Sequence, residues 1–105
     1  MGIIKMVNKT AIESLIFKEK IEANKKHKLF QTQHEAYAVL LEEVEELRED
    51  VVNMDIEMNR MWQSVRADEE ITPELKAIKS LAIHAIQEAV QVAAMCDKAF
   101  DSFLL

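Results

Sequence analysis

Glycine and proline are almost absent from this chain, which contains one of each, Gly2 and Pro73, among 105 residues. A β-rich protein of this length needs many tight turns, and such turns draw on Gly, Pro, Asn and Asp. Half of the residues are hydrophobic, so the chain is not expected to be disordered. The most common residues of the chain are good helix formers, and the sequence therefore predicts an all-α fold.

Helix start signals divide the sequence into three long helices within a single domain, residues 1–105. The predicted helices cover about residues 10–26, 33–66 and 73–103. Two capping boxes and a threonine cap followed by proline mark their starts. These signals are Thr10 with Glu13, Thr32 with Glu35, and Thr72 with Pro73.

The second and third predicted helices both carry apolar residues at alternating spacings of three and four, which is typical of helices that pack along a seam. The seam of the second helix consists of Tyr37, Leu40, Val44, Leu47, Val51, Met54, Met58, Met61 and Val65. The short link over residues 67–71 predicts antiparallel neighbours. Because the third helix is apolar on nearly all sides between Leu81 and Cys96, it requires burial all round. We therefore expect an antiparallel helical bundle completed by oligomerisation, as a homodimer or homotetramer.

The net charge, the cysteine count and the lack of long apolar runs argue against several classes of function. A formal net charge of −6 disfavours binding to nucleic-acid backbones. The single cysteine, Cys96, rules out an intramolecular disulfide and a four-ligand Cys/His zinc site. No apolar run reaches the length of a membrane span and no signal peptide is recognisable, so the expected location is the cytoplasm.

Acidic residues crowd the middle of the second predicted helix. They are Glu42, Glu43, Glu45, Glu46, Glu49 and Asp50. The helical repeat places Glu43, Glu46 and Asp50 on a ridge beside the apolar seam, and Glu43 and Glu46 project the same way. Like charges held together in a covered position repel unless a cation lies between them, and carboxylate oxygens suit Mg²⁺. A solvated helix face is the alternative interpretation.

Glu88 is the only formally charged residue between Lys79 and Asp97, within the apolar third helix. A carboxylate in such surroundings is unfavourable unless it is paired. Its expected partners in the absence of a metal are His84, Arg48 and Arg60.

The position of Glu88 along the predicted hairpin brings it near the acidic cluster. If the hairpin is centred near Glu69, Asp50 lies opposite Glu88 and Glu46 lies opposite Gln91. Glu46 and Glu88 are then offset by roughly 7–8 Å along the helix axis. We therefore expect the two polar clusters to share one metal site.

Two motifs in these segments resemble those of the MazG-like all-α nucleotide pyrophosphohydrolases. Their EExxE motif is matched by residues 42–46, which read EEVEE, and the wider stretch 34–47 looks like the small phage-type members. Their second motif, ExxD, is similar to residues 88–91, which read EAVQ and carry Gln91 in the aspartate position. The resemblance covers roughly residues 33–50 and 84–98.

This resemblance implies an enzyme that converts a ribo- or deoxyribonucleoside triphosphate and water into the monophosphate and pyrophosphate. It implies Glu43, Glu46 and Glu88 as catalytic residues and as ligands of Mg²⁺ or Mn²⁺. Gln91 is then a further ligand through its amide oxygen, and Asp50 supplies the charge that Gln91 lacks. The remaining candidates are Glu42, an accessory carboxylate, and the cations Lys79, Arg60 and Lys98, which could neutralise phosphate oxygens.

A different class of function competes with this one. The chain could be a non-catalytic helical interaction or scaffolding protein, or a degenerate nucleotide-binding relative, with Glu88 paired to His84 or an arginine. Glu43 and Glu46 would then face solvent. Convergence of Glu43, Glu46 and Glu88 distinguishes the two interpretations. A nucleic-acid-binding bundle is a third possibility, which the acidic charge disfavours.

Overall fold

The protein, described here over residues 6–104 by a computed structural model, folds into three helices. Helix α1 spans Lys9–Lys26, α2 spans Gln33–Arg66 and α3 spans Thr72–Phe103. No strand occurs in this part of the chain. The all-α prediction is confirmed, and the predicted helix bounds agree with the observed ones to within one residue.

Two helix starts show how local sequence fixes these bounds. The predicted cap of α1 is wrong: Asn8, not Thr10, occupies that position, and its Oδ1 accepts a 2.8 Å hydrogen bond from the Thr10 backbone nitrogen. Asparagine is one of the strongest N-cap residues, and Asn8 stands two positions before Thr10. At α2 the Thr32 hydroxyl oxygen accepts from the Glu35 nitrogen at 3.1 Å, as predicted. The Glu35 carboxylate accepts a hydrogen bond from the Gln31 backbone nitrogen, one residue before the Thr32 cap.

The described residues form two compact units. One unit comprises the chain up to Leu40 together with the chain from Val90 onward, and the other comprises Leu41–Ala89. None of the helices in residues 6–104 combines the length and the apolar character that a membrane crossing requires.

The first unit contains the buried apolar core. Its buried members are Phe30, Ala36, Ala94 and Met95, and Ile16, Ala23, Val39, Leu40, Ala99 and Phe103 pack against them. Phe30 lies in the link between α1 and α2, and its backbone nitrogen donates a 3.0 Å hydrogen bond to the Ser102 hydroxyl. The buried Lys98 places its ammonium group 4.9 Å from the centre of the Phe30 ring. These contacts fasten the link to the end of α3.

The second unit is a helical hairpin closed by a tight turn. Asp68 adopts a left-handed conformation, with φ of 58°. The Glu69 nitrogen donates to the Ser64 carbonyl at 2.8 Å, and the Asp68 nitrogen donates to the Val65 carbonyl at 3.1 Å. This is the Schellman pattern that satisfies the last carbonyls of a helix. The Ser64 hydroxyl also donates to Glu74 Oε1 at 2.8 Å, which joins the two sides of the turn.

The predicted seam of α2 is only partly covered within the described structure. Its half-buried members are Leu40, Val44, Leu47, Met54 and Met61. Tyr37, Val51, Met58 and Val65 are exposed instead, with Tyr37 67% accessible.

Candidate metal centre

Three carboxylates converge in the second unit. Glu43 and Glu46 stand three positions apart on α2, so both project from the same face of the helix. Glu88 approaches them from α3. One oxygen of each of the three residues lies within 4.8 Å of the others. The three carboxylates thus converge, as a metal site requires, while Glu88 also contacts His84, as the non-catalytic interpretation expects.

Burial differs among the three carboxylates. The Glu88 side chain is only 13% exposed, Glu43 is half-buried and Glu46 is exposed. Within the described residues, the Oε2 atom of Glu88 is buried and has no hydrogen-bond partner. A buried polar atom without a partner is unfavourable, and most such atoms in folded proteins are satisfied. The cluster therefore has both an inner carboxylate oxygen able to accept a ligand and an outer carboxylate in contact with solvent.

The electrostatics of the cluster reflect this crowding. Glu46 has its pKa raised above its ordinary value of 4.5, first by a hydrogen bond with the Glu88 side chain and then by the negative charge of Glu88. Burial adds to the increase, and the nearby His84 opposes it. Two carboxylates this close share a proton more readily than isolated ones do, and a divalent cation between them has the same charge-relieving effect.

A histidine connects this cluster to a buried aspartate. His84 Nδ1 lies 2.7 Å from Asp50 Oδ2, and His84 Nε2 lies 3.5 Å from Glu88 Oε1. The Asp50 side chain is 8% exposed, whereas that of His84 is 54% exposed. The hydrogen bond to Asp50, followed by the charge of Asp50, raises the pKa of the imidazole above its ordinary value of 6.5.

The other two predicted metal ligands, Asp50 and Gln91, form contacts outside the carboxylate cluster. Asp50 is not part of the three-carboxylate group, and its Oδ2 bonds to His84. Gln91 belongs to the first unit, where its amide nitrogen donates to Glu19 of α1. The structure thus brings together three of the five residues that the sequence analysis assigned to the metal.

At this site the side chains pair about one helical turn away from where counting from the turn places them. Asp50 was expected to lie opposite Glu88, but it pairs with His84 instead. Near the turn, Ser64 bonds to Glu74, which is the residue that counting from the turn places opposite it. Counting residues from a turn fixes the register only locally, because further along it depends on how the two helices pack.

The Asp50–His84 pair was missed in the sequence analysis, although a signal for it existed. Residues 46 and 50 are four apart on α2, and residues 84 and 88 are four apart on α3. On an antiparallel pair, any register that joins Glu46 to Glu88 also joins Asp50 to His84.

The three cations considered for phosphate binding have distinct surroundings. Arg60 forms a 2.7 Å ion pair with Glu57. Lys98 is buried beside Phe30 in the first unit. Lys79 is exposed on α3 in the second unit, the unit that holds the three carboxylates.

No protein-family model matches this sequence, and no curated protein and no solved structure matches it. A functional assignment for this chain therefore rests on the carboxylate cluster and on the motifs that carry it.

Proposed function

We propose that this protein is a Mg²⁺-dependent nucleoside triphosphate pyrophosphohydrolase. In this reaction a ribo- or deoxyribonucleoside triphosphate and water give the monophosphate and pyrophosphate. The observation that carries the proposal is the convergence of Glu43, Glu46 and Glu88 within 4.8 Å in one unit. The resemblance of residues 42–46 and 88–91 to the two MazG-like motifs supports the same assignment. A cytoplasmic location, where these nucleotides are abundant, forms part of the proposal.

The residues present suit a hard divalent cation. All three side chains offer carboxylate oxygens, the ligand type that Mg²⁺ and Mn²⁺ prefer. The buried Glu88 Oε2 has no hydrogen-bond partner among the described residues. The crowding of Glu46 against Glu88, which raises the pKa of Glu46 first through their hydrogen bond and then through the charge of Glu88, would be relieved by a cation between them. When bound, such an ion supplies Lewis-acid polarisation of a phosphoryl group and neutralises triphosphate oxygens.

The chain's own residues have separate tasks in this proposal. Glu43, Glu46 and Glu88 hold the ion, and the exposure of Glu46 marks the side open to solvent and thus to substrate. A triphosphate is an anion and the chain carries a net charge of −6, so the substrate would bind as its metal complex.

We also propose that the protein is a homo-oligomer. The apolar stripe of α2, defined as Val51, Met58, Trp62 and Val65, is between 48% and 57% exposed, and its members follow one another at helical spacings of seven, four and three. On α3, Ile83 and Ile86 are 51% and 60% exposed. Large apolar side chains grouped on one face typically mark an interaction surface, and a second copy of the same chain is the simplest occupant.

A non-catalytic helical interaction protein is the second candidate function. The contact between His84 and Glu88 favours it, because this is the pairing expected of Glu88 without a metal. The exposed apolar stripe suits it equally well. Metal binding and hydrolysis separate the two candidates.

The test is an assay of pyrophosphate release from a panel of ribo- and deoxyribonucleoside triphosphates with Mg²⁺ or Mn²⁺. The substitutions Glu43→Gln, Glu46→Gln and Glu88→Gln keep side-chain size and remove charge. We expect each to slow release on the order of 100-fold, as loss of one transition-state contact does.

The matched control for this assay is Glu45→Gln, an exposed neighbour on the same helix outside the cluster. Its rate should equal that of the unmodified chain. No pyrophosphate from any nucleotide would refute the enzymatic proposal, and an unchanged rate in Glu46→Gln would refute the assigned site.

A further inference from the structure

We infer that Asp50 and His84 form a positioning pair that orients Glu88 as a metal ligand, and that Asp50 acts through His84 rather than by binding the ion. This inference rests on the proposed metal centre and assigns a role to two residues beside it.

The geometry of the imidazole ring is the first argument. The ring is planar and rigid, with Nδ1 2.7 Å from Asp50 Oδ2 and Nε2 3.5 Å from Glu88 Oε1. Fixing Nδ1 therefore also fixes the direction in which Nε2 points. Asp50 is the buried end of this chain, with 8% of its side chain exposed, while the ring itself is 54% exposed. The aspartate thus anchors an imidazole that would otherwise have room to rotate.

The division of the two Glu88 oxygens is the second argument. Oε1 faces His84, and Oε2 is buried without a described hydrogen-bond partner. Oε2 is therefore the oxygen left for a cation. Carboxylate and histidine ligands in metal centres are themselves held by outer hydrogen bonds, and loss of such a bond typically weakens metal affinity by about 10–100-fold.

A double-substitution cycle on Mn²⁺ binding separates this role from direct ligation by Asp50. Free Mn²⁺ is followed by its electron paramagnetic resonance signal in the unmodified chain, in Asp50→Asn, in His84→Ala and in the double variant. We expect about 10-fold weaker binding in each single variant. The double variant should bind no more weakly than His84→Ala, because residues that act in series are not additive.

A spectroscopic measurement adds a readout that packing alone would not change. Addition of Mg²⁺ should shift the ¹⁵Nε2 resonance of His84 in the unmodified chain, and this shift should disappear in Glu88→Gln. The control variant is Asp55→Asn, which changes an exposed aspartate on α2, the helix that carries Asp50. Circular dichroism checks that every variant keeps its helices.

The outcomes discriminate cleanly. Unchanged Mn²⁺ affinity in both single variants, additive losses in the double variant, or an unmoved ¹⁵Nε2 resonance would each overturn the positioning role. If the unmodified chain binds no Mn²⁺, the proposed metal centre fails and this inference fails with it. If it binds Mn²⁺ and Glu88→Gln does not, the metal centre stands whatever the cycle shows.

Discussion

Glu46 on α2 and Glu88 on α3 hold carboxylate oxygens within 4.8 Å of each other, and the hydrogen bond that a protonated Glu46 donates to Glu88 raises the pKa of Glu46. A raised pKa in an acidic group means that the folded chain holds the proton more tightly than the unfolded chain does. The ionised form of Glu46 therefore opposes folding, and the opposition grows as pH rises from 4.5 through the folded pKa. The stability of this hairpin should consequently depend on whichever cation, proton or metal, is available to the pair.

Removing the charge of Glu46 should stabilise the metal-free protein at neutral pH. Glu46→Gln eliminates the repulsion with Glu88 while preserving side-chain size. We expect a higher urea midpoint for the variant at neutral pH and equal midpoints once pH falls below 4.5, where the glutamate is protonated in both states. Glu45→Gln is the control, and a variant less stable than the unmodified chain at neutral pH would contradict the prediction.

Mg²⁺ should raise the thermal stability of the unmodified protein but not that of Glu88→Gln. A ligand that binds only the folded state stabilises it by about 2.7 kcal/mol at a concentration 100-fold above its dissociation constant. Melting curves at increasing Mg²⁺, with sodium chloride at matched ionic strength as the control, measure this effect. An equal increase in both proteins would show that the ion acts elsewhere.

The His84–Asp50 contact predicts a second dependence on pH, which has the same sign as that of Glu46 but begins near pH 6.5. Because the bond to Asp50 raises the pKa of His84, the folded chain favours the imidazolium. Its stabilising contribution is therefore complete below 6.5 and is lost as pH rises through the folded pKa. The difference in unfolding free energy between the unmodified chain and His84→Gln should shrink across that range. A difference that stays constant with pH would show that the ion pair contributes nothing.

The turn after α2 offers a stabilising substitution. Asp68 holds a φ of 58°, a left-handed conformation that glycine adopts without hindrance from a β-carbon. Asp68→Gly should raise the unfolding free energy by up to about 1 kcal/mol in a urea titration, because an L-residue in the left-handed region costs roughly 1–2 kcal/mol and the larger entropy loss of glycine offsets part of the gain. Asp68→Ala keeps a β-carbon and gives up the local hydrogen bonding of aspartate, so it should not be stabilising. Destabilisation by glycine would mean that the aspartate side chain itself supports the turn.

The exposed stripe of α2 predicts the behaviour of the protein in solution. Met58 is 50% exposed within the stripe, so Met58→Glu would place a charge in the proposed interface between copies. We expect the unmodified chain to sediment as a dimer or tetramer and Met58→Glu to shift toward the monomer. Asn59→Glu, an exposed neighbour on a different face, should leave the mass unchanged. A monomeric unmodified chain would contradict the proposed oligomer.

The helices were predictable because their signals are local. The threonine cap at Thr32 and the scarcity of Gly and Pro act through neighbouring residues and the backbone, so the sequence was sufficient to place α2 and the other helices. The choice of Asn8 over Thr10 was missed because two good capping residues compete within one turn. Which of them forms the cap depends on where the backbone first becomes helical.

The candidate site was predictable only in part. Glu43 and Glu46 share a helix face by spacing alone, and Glu88 stood out as a lone charge in an apolar segment. The contacts of Asp50 and Gln91 depend on tertiary packing, and no rule of helical spacing reveals that Gln91 donates to Glu19, 72 residues earlier in the chain. Exposure of Tyr37 and Met58 likewise depends on which surfaces the fold covers.

All three converging carboxylates belong to the stretch Leu41–Ala89, an uninterrupted part of the polypeptide. The Asp50–His84 pair lies in the same stretch. A recombination event that replaced α1 would therefore leave the coding information for every one of these groups on a single fragment of the gene.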